Sequence, residues 1–214
     1  MRLFAATRNP AKQREIRRVL EAAGHDVAFP DEAGLYEDRQ ESLLENADTF
    51  EGNARRKAEY FARRSGLPTL ADDSGLEVLS LNGAPGVRSR RFAAAEGPAS
   101  QVDAANNREL LRRLLGAPAA RRRARFRCVI ALQHRPDAAP EIFEGTANGT
   151  ILEAPRGDNG FGYDPLFLSD DLGVTFAEAP AEEKDRVSHR GRALAALVDR
   201  MVAQQEGRFP PADT

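Results

Sequence analysis

Two adjacent carboxylates, Asp72 and Asp73, stand in the stretch ADDSGLEV between apolar residues, with Ser74 and Gly75 directly after them. Because like charges repel, the end of a strand is a costly place for such a pair. Two kinds of chemistry could use it: hard oxygen ligands for Mg²⁺, or one general base beside a structural acceptor. Asp, Ser and Gly also favour turns, so the stretch taken alone is equally typical of a turn.

The stretch TRNPAK, at residues 7–12, has the residue types of an anion site. Asn9 can cap a helix that has Pro10 at its first position. Free backbone N–H groups at a helix N-terminus, with Lys12 in the first turn, attract a phosphate or another anion. A capped helix with a solvated lysine fits the same pattern, so this stretch alone is a weak signal.

A further group of polar residues lies in the stretch ENADTFEGNARRKA. Asn53 and Lys57 are four residues apart and therefore share a helix face. Glu45 lies just before that helix, where a loop could direct its carboxylate into a cleft. A solvated surface position is more typical of each residue alone, and it is their joint occurrence that indicates a site.

Three glycines surround Phe161 in the stretch RGDNGFGYDP, and glycines let the backbone approach a flat ligand closely. The alternative is a glycine-rich turn with Phe161 packed inward. The later stretch EEKDRVSHR adds Lys184, His189 and Arg190. A buried core histidine and an exposed arginine remain the alternatives for the last two residues.

The composition is that of an ordinary globular protein, with 214 residues, 41% of them hydrophobic and 30% charged. This length suits one domain that can bury a substantial core. A net charge of -2 predicts no general attraction to nucleic acid or to anionic membranes. The single cysteine, Cys128, excludes an internal disulfide and fits a reducing compartment. No apolar run approaches the ~20 residues of a membrane span, and the apolar N-terminal stretch is too short for a signal peptide, so we expect a cytoplasmic protein.

Strands that alternate with amphipathic helices must position these residues. The first part of the chain is predicted to contain, in order, a strand over 2–7, a helix from Pro10 to Ala23, a strand over 27–30, a helix capped by Thr49 that runs to about Ser65, and strands over 68–73 and 76–81. Gly24 ends the first helix, and DDSG is expected as the turn between the last two strands.

The second part of the chain continues the alternation. It is predicted to contain a helix over 100–115, a strand over 123–133, a strand pair over 141–152 that turns near Asn148-Gly149, and mostly helix over 182–204. This order predicts an α/β fold with a mixed sheet. We expect one domain over 1–206 and a disordered tail over 207–214.

Six stretches together resemble the inosine triphosphate pyrophosphatase family, the Ham1-like or RdgB-like proteins. They are ATRNPAK, ENADTFEGNARRKA, ADDSGLEVLSLNGAPGVRS, RARFRCV, PRGDNGFGYDPLF and EEKDRVSHR, and they follow the family's order and spacing over nearly the whole chain. The motifs ADDSGLEV and GFGYDP are the most specific. Arg8 departs from the small residue common in the family's first loop and could crowd the phosphate site or add a positive contact. The run RRFAAAEGP also departs from the family's usual residues.

The resemblance implies a long, twisted mixed β-sheet flanked by helices and divided into two lobes around a central cleft. It implies hydrolysis of purine nucleoside triphosphates with a keto group at C6 (ITP, dITP and XTP) to the monophosphate and pyrophosphate. Such a reaction removes deaminated purines from the nucleotide pool. The resemblance also implies Mg²⁺ as cofactor and a homodimer.

Carried over residue by residue, the resemblance implies that Glu45 and Asp73 hold Mg²⁺ and that Asp73 is the general base. Asp72 would support them or bind a second ion. The residues implied to bind substrate are Thr7, Arg8, Asn9, Lys12, Lys57, Ser74, Phe161, Gly162, Tyr163, Asp164, Lys184, His189 and Arg190.

Selection of the base is expected at the far lobe, around residues 160–165 (GFGYDP), which we call the aromatic loop. Phe161 would stack on the purine, while His189 and Arg190 donate to the keto oxygen at C6. Adenine presents an amino donor at that position, and a donor facing a donor leaves buried polar groups unpaired, so ATP would be rejected strongly. Guanine shares the keto group, so its rejection must come from crowding around the 2-amino group.

Other functions are also open on the residues alone. A regulator that binds nucleotides without hydrolysis would not need the carboxylates of Glu45 and Asp73. A nucleic-acid-binding module could use the arginines at 121–127, but Phe126 belongs to an alternating strand, which predicts a solvated sheet face instead. Within enzymes, the alternative is a related pyrophosphatase for modified pyrimidine or methylated nucleotides.

Overall fold

The computed structural model describes residues 1–207 of the chain. Within this part the strands form one mixed β-sheet. Its six strands in this part are β1 (Arg2–Ala5), β2 (Asp26–Ala28), β3 (Thr69–Val78), β4 (Arg123–Gln133), β5 (Glu141–Ile151) and β6 (Phe167–Ser169). The spatial order is β2-β1-β3-β4-β5-β6. β1 is parallel to both of its neighbours and the remaining pairs are antiparallel. The expected α/β fold with a mixed sheet is therefore confirmed.

Five α-helices of the described chain pack around this sheet. They are α1 (Pro10–Ala22), α2 (Phe50–Ser65), α3 (Ala99–Arg113), α4 (Ala181–Val187) and α5 (His189–Gln205). α2 packs on β3 and β4, while α5 packs on β4, β5 and α1. The sheet is thus flanked by helices on both faces, as expected. The single two-lobed domain over 1–206 stays a prediction.

The core shows how the strand alternation separates the two faces. Leu3 and Ala5 of β1 belong to the cluster with the apolar residues of α1 and α5. Phe4 and Ala6 belong to the cluster with α2 on the opposite face. Successive side chains of a strand point to opposite faces, so this short apolar strand can bury both sets.

Helix ends follow the local sequence signals. The Asn9 side chain accepts hydrogen bonds from the backbone N–H groups of Ala11 at 2.9 Å and Lys12 at 3.3 Å. The Thr49 hydroxyl accepts from the backbone N–H of Gly52 at 3.0 Å. Both N-caps were expected, and the predictions of α1 and α2 are confirmed.

The turn predicted at DDSG is wrong. β3 runs without interruption from Thr69 to Val78, and Asp73 lies opposite Val129 in the antiparallel ladder with β4. Backbone pairing along the whole strand outweighs the turn preference of these residues. Gly75 serves close packing instead, because a Cβ there would lie 2.4 Å from both the Gly86 carbonyl oxygen and the Ser89 hydroxyl.

The turn predicted near Asn148-Gly149 is also wrong. β5 is one strand, in which Gly149 pairs with Ala124 of β4. A Cβ on Gly149 would lie 2.4 Å from the carbonyl oxygen of Leu168 in β6, so the glycine permits that close approach.

The helix predicted over 182–204 is divided in two. Ser188 has an extended backbone, with φ -67° and ψ 156°, and separates α4 from α5. Its hydroxyl accepts from the backbone N–H of Gly191 at 3.1 Å and so caps α5. This break places His189 and Arg190 in the first turn of α5.

Two expectations concern the limits of the fold. Apart from Gly207, the tail expected over 207–214 lies outside the described residues. No helix within 1–207 combines the length and the apolarity that crossing a membrane requires.

Candidate active site

Two cavities that share lining residues contain the residue types found in the sequence motifs. The first has a volume of about 320 Å³, and the predicted site residues that line it are Asn9, Lys12, Glu45, Asp73, Ser74, Phe161, Gly162, Tyr163, Asp164, Lys184, His189 and Arg190. The second has a volume of about 540 Å³, and Thr7, Arg8 and Lys57 line it together with Asn9, Lys12 and Glu45. The structure therefore brings all the predicted site residues to these two cavities.

The sheet brings the first motif to the aspartates. β1 lies parallel and adjacent to β3, and the backbone N–H of Ala6 donates to the Leu70 carbonyl oxygen at 2.8 Å. The chain leaves β1 at this point and turns into the capped start of α1. The N-terminus of α1 and Lys12 consequently reach Asp72, with a distance of 3.0 Å between the Lys12 Nζ and the Asp72 Oδ2.

Asp72 and Asp73 have opposite environments because successive residues of a strand face opposite sides. The Oδ2 of Asp72 pairs with Lys12 and accepts from the Nε and Nη2 of Arg190, each at 3.1 Å. Burial alone would raise the pKa of Asp72, but the positive charges of Lys12, Arg190 and Lys57 outweigh it and hold this pKa well below its ordinary value. Asp72 is therefore ionised at neutral pH.

Asp73 is also buried, but it has weaker compensation. Its Oδ2 accepts from the Asn53 Nδ2 at 2.9 Å, and its Oδ1 lies 3.7 Å from the Lys57 Nζ. Burial raises the pKa of Asp73 more than Lys57 and Lys12 lower it. A carboxylate with a raised pKa holds a proton more readily than an ordinary aspartate does, which suits general-base chemistry.

Lys57 forms ion pairs with both Glu45 and Asp73, the two carboxylates predicted to hold a metal. Its Nζ donates to the Glu45 Oε1 at 2.7 Å and to the backbone carbonyl oxygen of Asp72 at 2.6 Å. The charge of Lys57 lowers the pKa of Glu45 to about 2, so this carboxylate is ionised at neutral pH. Arg91 fixes the same residue by donating from Nη2 to the Glu45 carbonyl oxygen at 2.8 Å.

The aromatic loop is held by its own aspartate. The Asp164 Oδ2 accepts from the backbone N–H of Phe161 at 2.9 Å and from the Lys184 Nζ at 2.6 Å. The Lys184 Nζ lies 5.2 Å from the centre of the Phe161 ring. The loop passes through left-handed backbone conformations at Gly160 and Gly162, with φ of 75° and 62°, which glycine adopts without strain.

Helix α3 holds the aromatic loop from the other side, which the sequence motifs did not predict. The Asp103 Oδ2 accepts from the backbone N–H of Gly162 at 2.9 Å, and the Asn107 Nδ2 donates to the Gly162 carbonyl oxygen at 3.0 Å. The Tyr163 hydroxyl donates to the Ser89 carbonyl oxygen at 2.8 Å. Polar residues four apart on a predicted helix were the available signal for Asp103 and Asn107.

Glu15 is a further residue of the site that the motifs did not predict. It is buried in α1, where its Oε1 accepts from the Lys184 Nζ at 2.8 Å and its Oε2 accepts from the Arg190 Nη1. Burial would raise its pKa, but the charges of Arg190 and Lys184 lower it to about 2. Its position three residues after Lys12 on the same helix face was the available signal.

Arg190 is 1% exposed and already donates to several groups. Besides its bonds to Asp72 and Glu15, its Nη2 donates to the Ser74 hydroxyl at 2.8 Å. Its Cζ lies 5.7 Å from the centre of the Phe161 ring. The guanidinium therefore lies beside the aromatic ring and also ties β3 to α1. The hypothesis that it donates to a base stays a prediction.

His189 is buried against an aromatic ring. It stacks on Phe126 with the ring centres 4.6 Å apart and the planes at 9°. Burial and the neighbouring charge of Arg190 lower its pKa well below the ordinary value, so the imidazole is neutral at physiological pH. It has the packing of a core histidine, yet it lines the first cavity, where a neutral ring can offer one donor and one acceptor.

Arg8 has partners other than those expected for a phosphate ligand. Its Nε and Nη2 donate to Glu41 at 2.8 and 2.9 Å, and its Nη2 also donates to the Leu35 carbonyl oxygen at 2.7 Å. Its Nη1 donates to Asp31 at 2.5 Å. These bonds account for most of the donors of this guanidinium, and its role as a substrate contact stays a prediction.

The arginines of β4 lie in ion pairs across the sheet. Arg123 pairs with Asp170 at 2.6 Å, Arg125 with Glu77 at 2.6 Å, and Arg127 with Glu144 at 2.7 Å. These pairs neutralise the positive charge of the strand, as on an ordinary exposed sheet face. They do not favour the nucleic-acid-binding alternative.

The fold and site together define an α/β protein with a cavity that is lined by cationic side chains, carboxylates and an aromatic ring. Comparison with known proteins supports this assignment of fold. The model of the Ham1 family matches residues 3–200. A solved HAM1 protein from Coxiella burnetii has a TM-score of 0.80 and 37% identity, covering 94% of this chain and 98% of that one.

Several relatives carry the name dITP/XTP pyrophosphatase, and two of them are described here. The one from Mannheimia succiniciproducens is 44% identical over 203 residues, covering 94% of this chain and 98% of the relative. The one from Syntrophobacter fumaroxidans is 50% identical over 195 residues, covering 91% of this chain and 79% of the relative. This chain belongs to the Ham1 family, and the resemblance found in its motifs is confirmed.

Proposed function

We propose that this chain hydrolyses purine nucleoside triphosphates with a keto group at C6 (dITP, ITP and XTP) to the monophosphate and pyrophosphate. The proposal is carried by the first cavity, which brings Asp73 and Lys12 together with Phe161, and Phe161 lies beside Lys184 and Arg190. The relatives named dITP/XTP pyrophosphatase support the same reaction. In a cell it removes deaminated purines from the nucleotide pool.

We propose Mg²⁺ as the cofactor, held by Glu45 and Asp73. Both carboxylates line the first cavity, and carboxylate oxygens are preferred ligands of this ion. Within residues 1–207 no group of three or more His, Cys, Asp or Glu side chains is placed to hold a metal. Two carboxylates nonetheless fit Mg²⁺, since it usually keeps several waters and takes further oxygens from substrate phosphates. Its contribution when bound is to neutralise and orient those phosphate oxygens.

Asp73 is proposed to accept a proton from the water that attacks the triphosphate. Its raised pKa brings it closer to the pH at which a general base works best. Asn53 fixes one carboxylate oxygen by its hydrogen bond and so sets the orientation of the group. Asp72, which is already paired with Lys12 and Arg190, is proposed to support this arrangement rather than to bind a second ion.

The phosphate chain is proposed to lie against the start of α1. Thr7, Asn9 and Lys12 line the cavities there, and Lys57 lies beside the carboxylates. Backbone N–H groups at a helix N-terminus and two ammonium groups favour the concentrated negative charge of a triphosphate and of the leaving pyrophosphate.

The purine is proposed to stack on Phe161, with Tyr163 and Asp164 on the wall of the pocket and Ser74 in contact with the substrate. Arg190 and His189 are the proposed donors to the keto oxygen at C6. With the amino group of adenine they would leave donors unpaired in a buried site, which accounts for rejection of ATP.

A panel of nucleoside triphosphates with Mg²⁺ tests the proposed function. We expect release of pyrophosphate from dITP, ITP and XTP, with an efficiency for ITP at least about 10²-fold above that for ATP. Pyrophosphate and orthophosphate are measured separately. Release of orthophosphate would contradict the proposal, preference for modified pyrimidine or methylated nucleotides would favour the related pyrophosphatase, and binding without hydrolysis would favour a regulator.

The stacking role of the aromatic loop gives a second prediction. Phe161→Ala should raise the KM for ITP by about 5- to 150-fold and change kcat less, because stacking of a base on an aromatic side chain contributes about 1–3 kcal/mol. Steady-state kinetics on ITP measure both constants. Phe92→Ala is a matched control, since Phe92 stacks with Arg113 outside the lining of the cavities. An unchanged KM in Phe161→Ala would show that the ring only packs the loop.

We also propose a homodimer in the cytoplasm. The dimer rests on the resemblance to the family, and the compartment rests on the single buried Cys128. Light scattering of the purified protein measures the oligomeric state, and a monomeric mass would contradict the first statement.

A further inference from the structure

The segment between β2 and α2 carries one of the proposed metal ligands but little regular structure. We call residues 31–44 the strap. The strap contains one short 3₁₀ helix, Glu41–Leu43, and is followed directly by Glu45. Glu37, Glu41, Ser42 and Leu44 of the strap line the 540 Å³ cavity at the phosphate end of the site. An irregular segment of this length loses much conformational freedom on ordering, so it needs specific contacts.

Arg8 supplies one set of these contacts. It follows Thr7 in residues 6–9, the connection between β1 and α1 that we call the phosphate loop, and binds Glu41 through two parallel hydrogen bonds, of 2.8 and 2.9 Å. It also donates to the carbonyl oxygen of Leu35 at 2.7 Å. The Arg8 and Glu41 side chains are 21% and 10% exposed, so this two-bond pair is shielded from water. The further pair with Asp31 is 69% exposed on the aspartate side and contributes little.

Helix α2 supplies a second set of contacts on the same carboxylate. The Arg64 Nη1 donates to Glu41 at 3.2 Å and to Asp38 at 3.2 Å, and its Nη2 donates to the Tyr36 carbonyl oxygen at 3.0 Å. The hydroxyl of Tyr60 donates to Asp38 as well. Glu41 thus joins two arginines, one from the phosphate loop and one from α2, four residues before Glu45.

We propose that Arg8 is a positioning residue, which fixes the strap through Glu41 and thereby holds Glu45 at the cavity. This proposal rests on the proposed function, because it takes Glu45 to be a ligand of the Mg²⁺ ion. A direct contact between Arg8 and phosphate would require its guanidinium to leave Glu41. The largely buried Glu41 carboxylate would then keep Arg64 as its remaining ion-pair partner within residues 1–207. The geometry points to the indirect role.

Variants of both partners distinguish the two roles. Arg8→Ala and Glu41→Ala should each lower kcat/KM for ITP by about 10- to 100-fold, the usual effect of removing a group that orients a metal ligand. Each should also raise the Mg²⁺ concentration needed for half-maximal rate. The double variant should be no worse than either single variant. Glu41→Ala is decisive because it frees Arg8: an Arg8 that binds phosphate directly would keep or improve activity in this variant.

Amide hydrogen exchange gives a readout that does not depend on turnover. In the free protein without metal or nucleotide, both variants should accelerate exchange across residues 31–45 and leave β3 and β4 unchanged. Arg112→Ala is the matched control, because it removes a similar two-bond pair with Glu109, of 2.7 and 2.9 Å, on α3. In Arg112→Ala we expect the rate of amide hydrogen exchange in the strap and the kcat/KM for ITP to stay within about twofold of those of the original chain.

Two results would overturn the proposal. One is unchanged exchange of the strap in both Arg8→Ala and Glu41→Ala. The other is a loss of activity in Arg8→Ala that Glu41→Ala does not reproduce, which would make Arg8 a direct phosphate ligand. If the original chain hydrolyses neither ITP nor dITP, the proposed function fails, and the exchange measurement still decides whether Arg8 positions the strap.

Discussion

Replacing Asp73 by asparagine is expected to lower the turnover of ITP by about 10²–10⁴-fold, the usual loss on removal of a general base. The amide keeps the size of the side chain and can still face Asn53, but it cannot accept the proton of the attacking water. Since the phosphate and base contacts remain, affinity for the nucleotide should change little. The measurement is kcat at saturating ITP and Mg²⁺, together with calorimetric affinity for a non-hydrolysable analogue of ITP.

A control for this experiment lies on the same strand. Glu77 also belongs to β3, but it pairs with Arg125 and does not line either cavity. Glu77→Gln should therefore keep kcat close to that of the original chain. If Asp73→Asn retained near-normal turnover at saturating Mg²⁺, Asp73 would not be the base, and the role of its raised pKa would have to be sought elsewhere.

Replacing the neighbouring Asp72 by asparagine is expected to destabilise the protein by about 3–5 kcal/mol, the usual cost of removing one partner from a buried ion pair. Asp72 is 1% exposed and pairs with Lys12 and Arg190. Its loss leaves two cations without this counter-charge, and within residues 1–207 Glu15 is then the remaining ion-pair partner of Arg190. Urea unfolding at pH 7 with EDTA present measures the change in the free energy of unfolding.

The effect of Asp72→Asn on stability should depend on pH. The pKa of Asp72 is lowered on folding, so its stabilisation is fully present above the ordinary aspartate pKa of about 4 and decreases as the pH falls below it. The difference between the original chain and Asp72→Asn should therefore be largest at neutral pH and shrink in acid.

Asp73→Asn is the matched comparison for stability. The pKa of Asp73 is raised on folding, so its charged form is disfavoured by the fold, and removing that charge should not destabilise the metal-free protein. Equal destabilisation by the two variants would contradict the opposite environments of the adjacent aspartates.

Local signals predicted the helices near the site. The caps of α1 and α2 depend on hydrogen bonds between a side chain and backbone groups two or three residues away, and both were read correctly from Asn9 and Thr49. The strand over Arg123–Gln133 was also predicted with its observed bounds, since its alternation is a property of the segment itself. These features need no knowledge of distant residues.

Both wrongly predicted turns occurred where distant pairing overrides local preference. DDSG and Asn148-Gly149 both have turn-forming residues, yet both lie within strands because β4 pairs with each of them. The sequence likewise could not predict which residues of the site contact each other. Glu15 and Arg190 are 175 positions apart, and Asp103 and Gly162 are 59 apart. Contacts at such separations depend on the path of the whole chain.

The sequence by itself determined which side chains this site would contain, because their chemical types and order are those of the Ham1 family. It could not assign different roles to the two aspartates of ADDSGLEV from their own chemistry, which is identical. The resemblance implied different roles, but only the tertiary structure gives the physical reason, by turning Asp72 toward Lys12 and Arg190 and Asp73 toward Asn53 and Lys57. A pKa depends on burial and on nearby charges. Here the charged groups come from α1, α2 and α5, so the folded chain is what separates an ion-paired structural carboxylate from a candidate base.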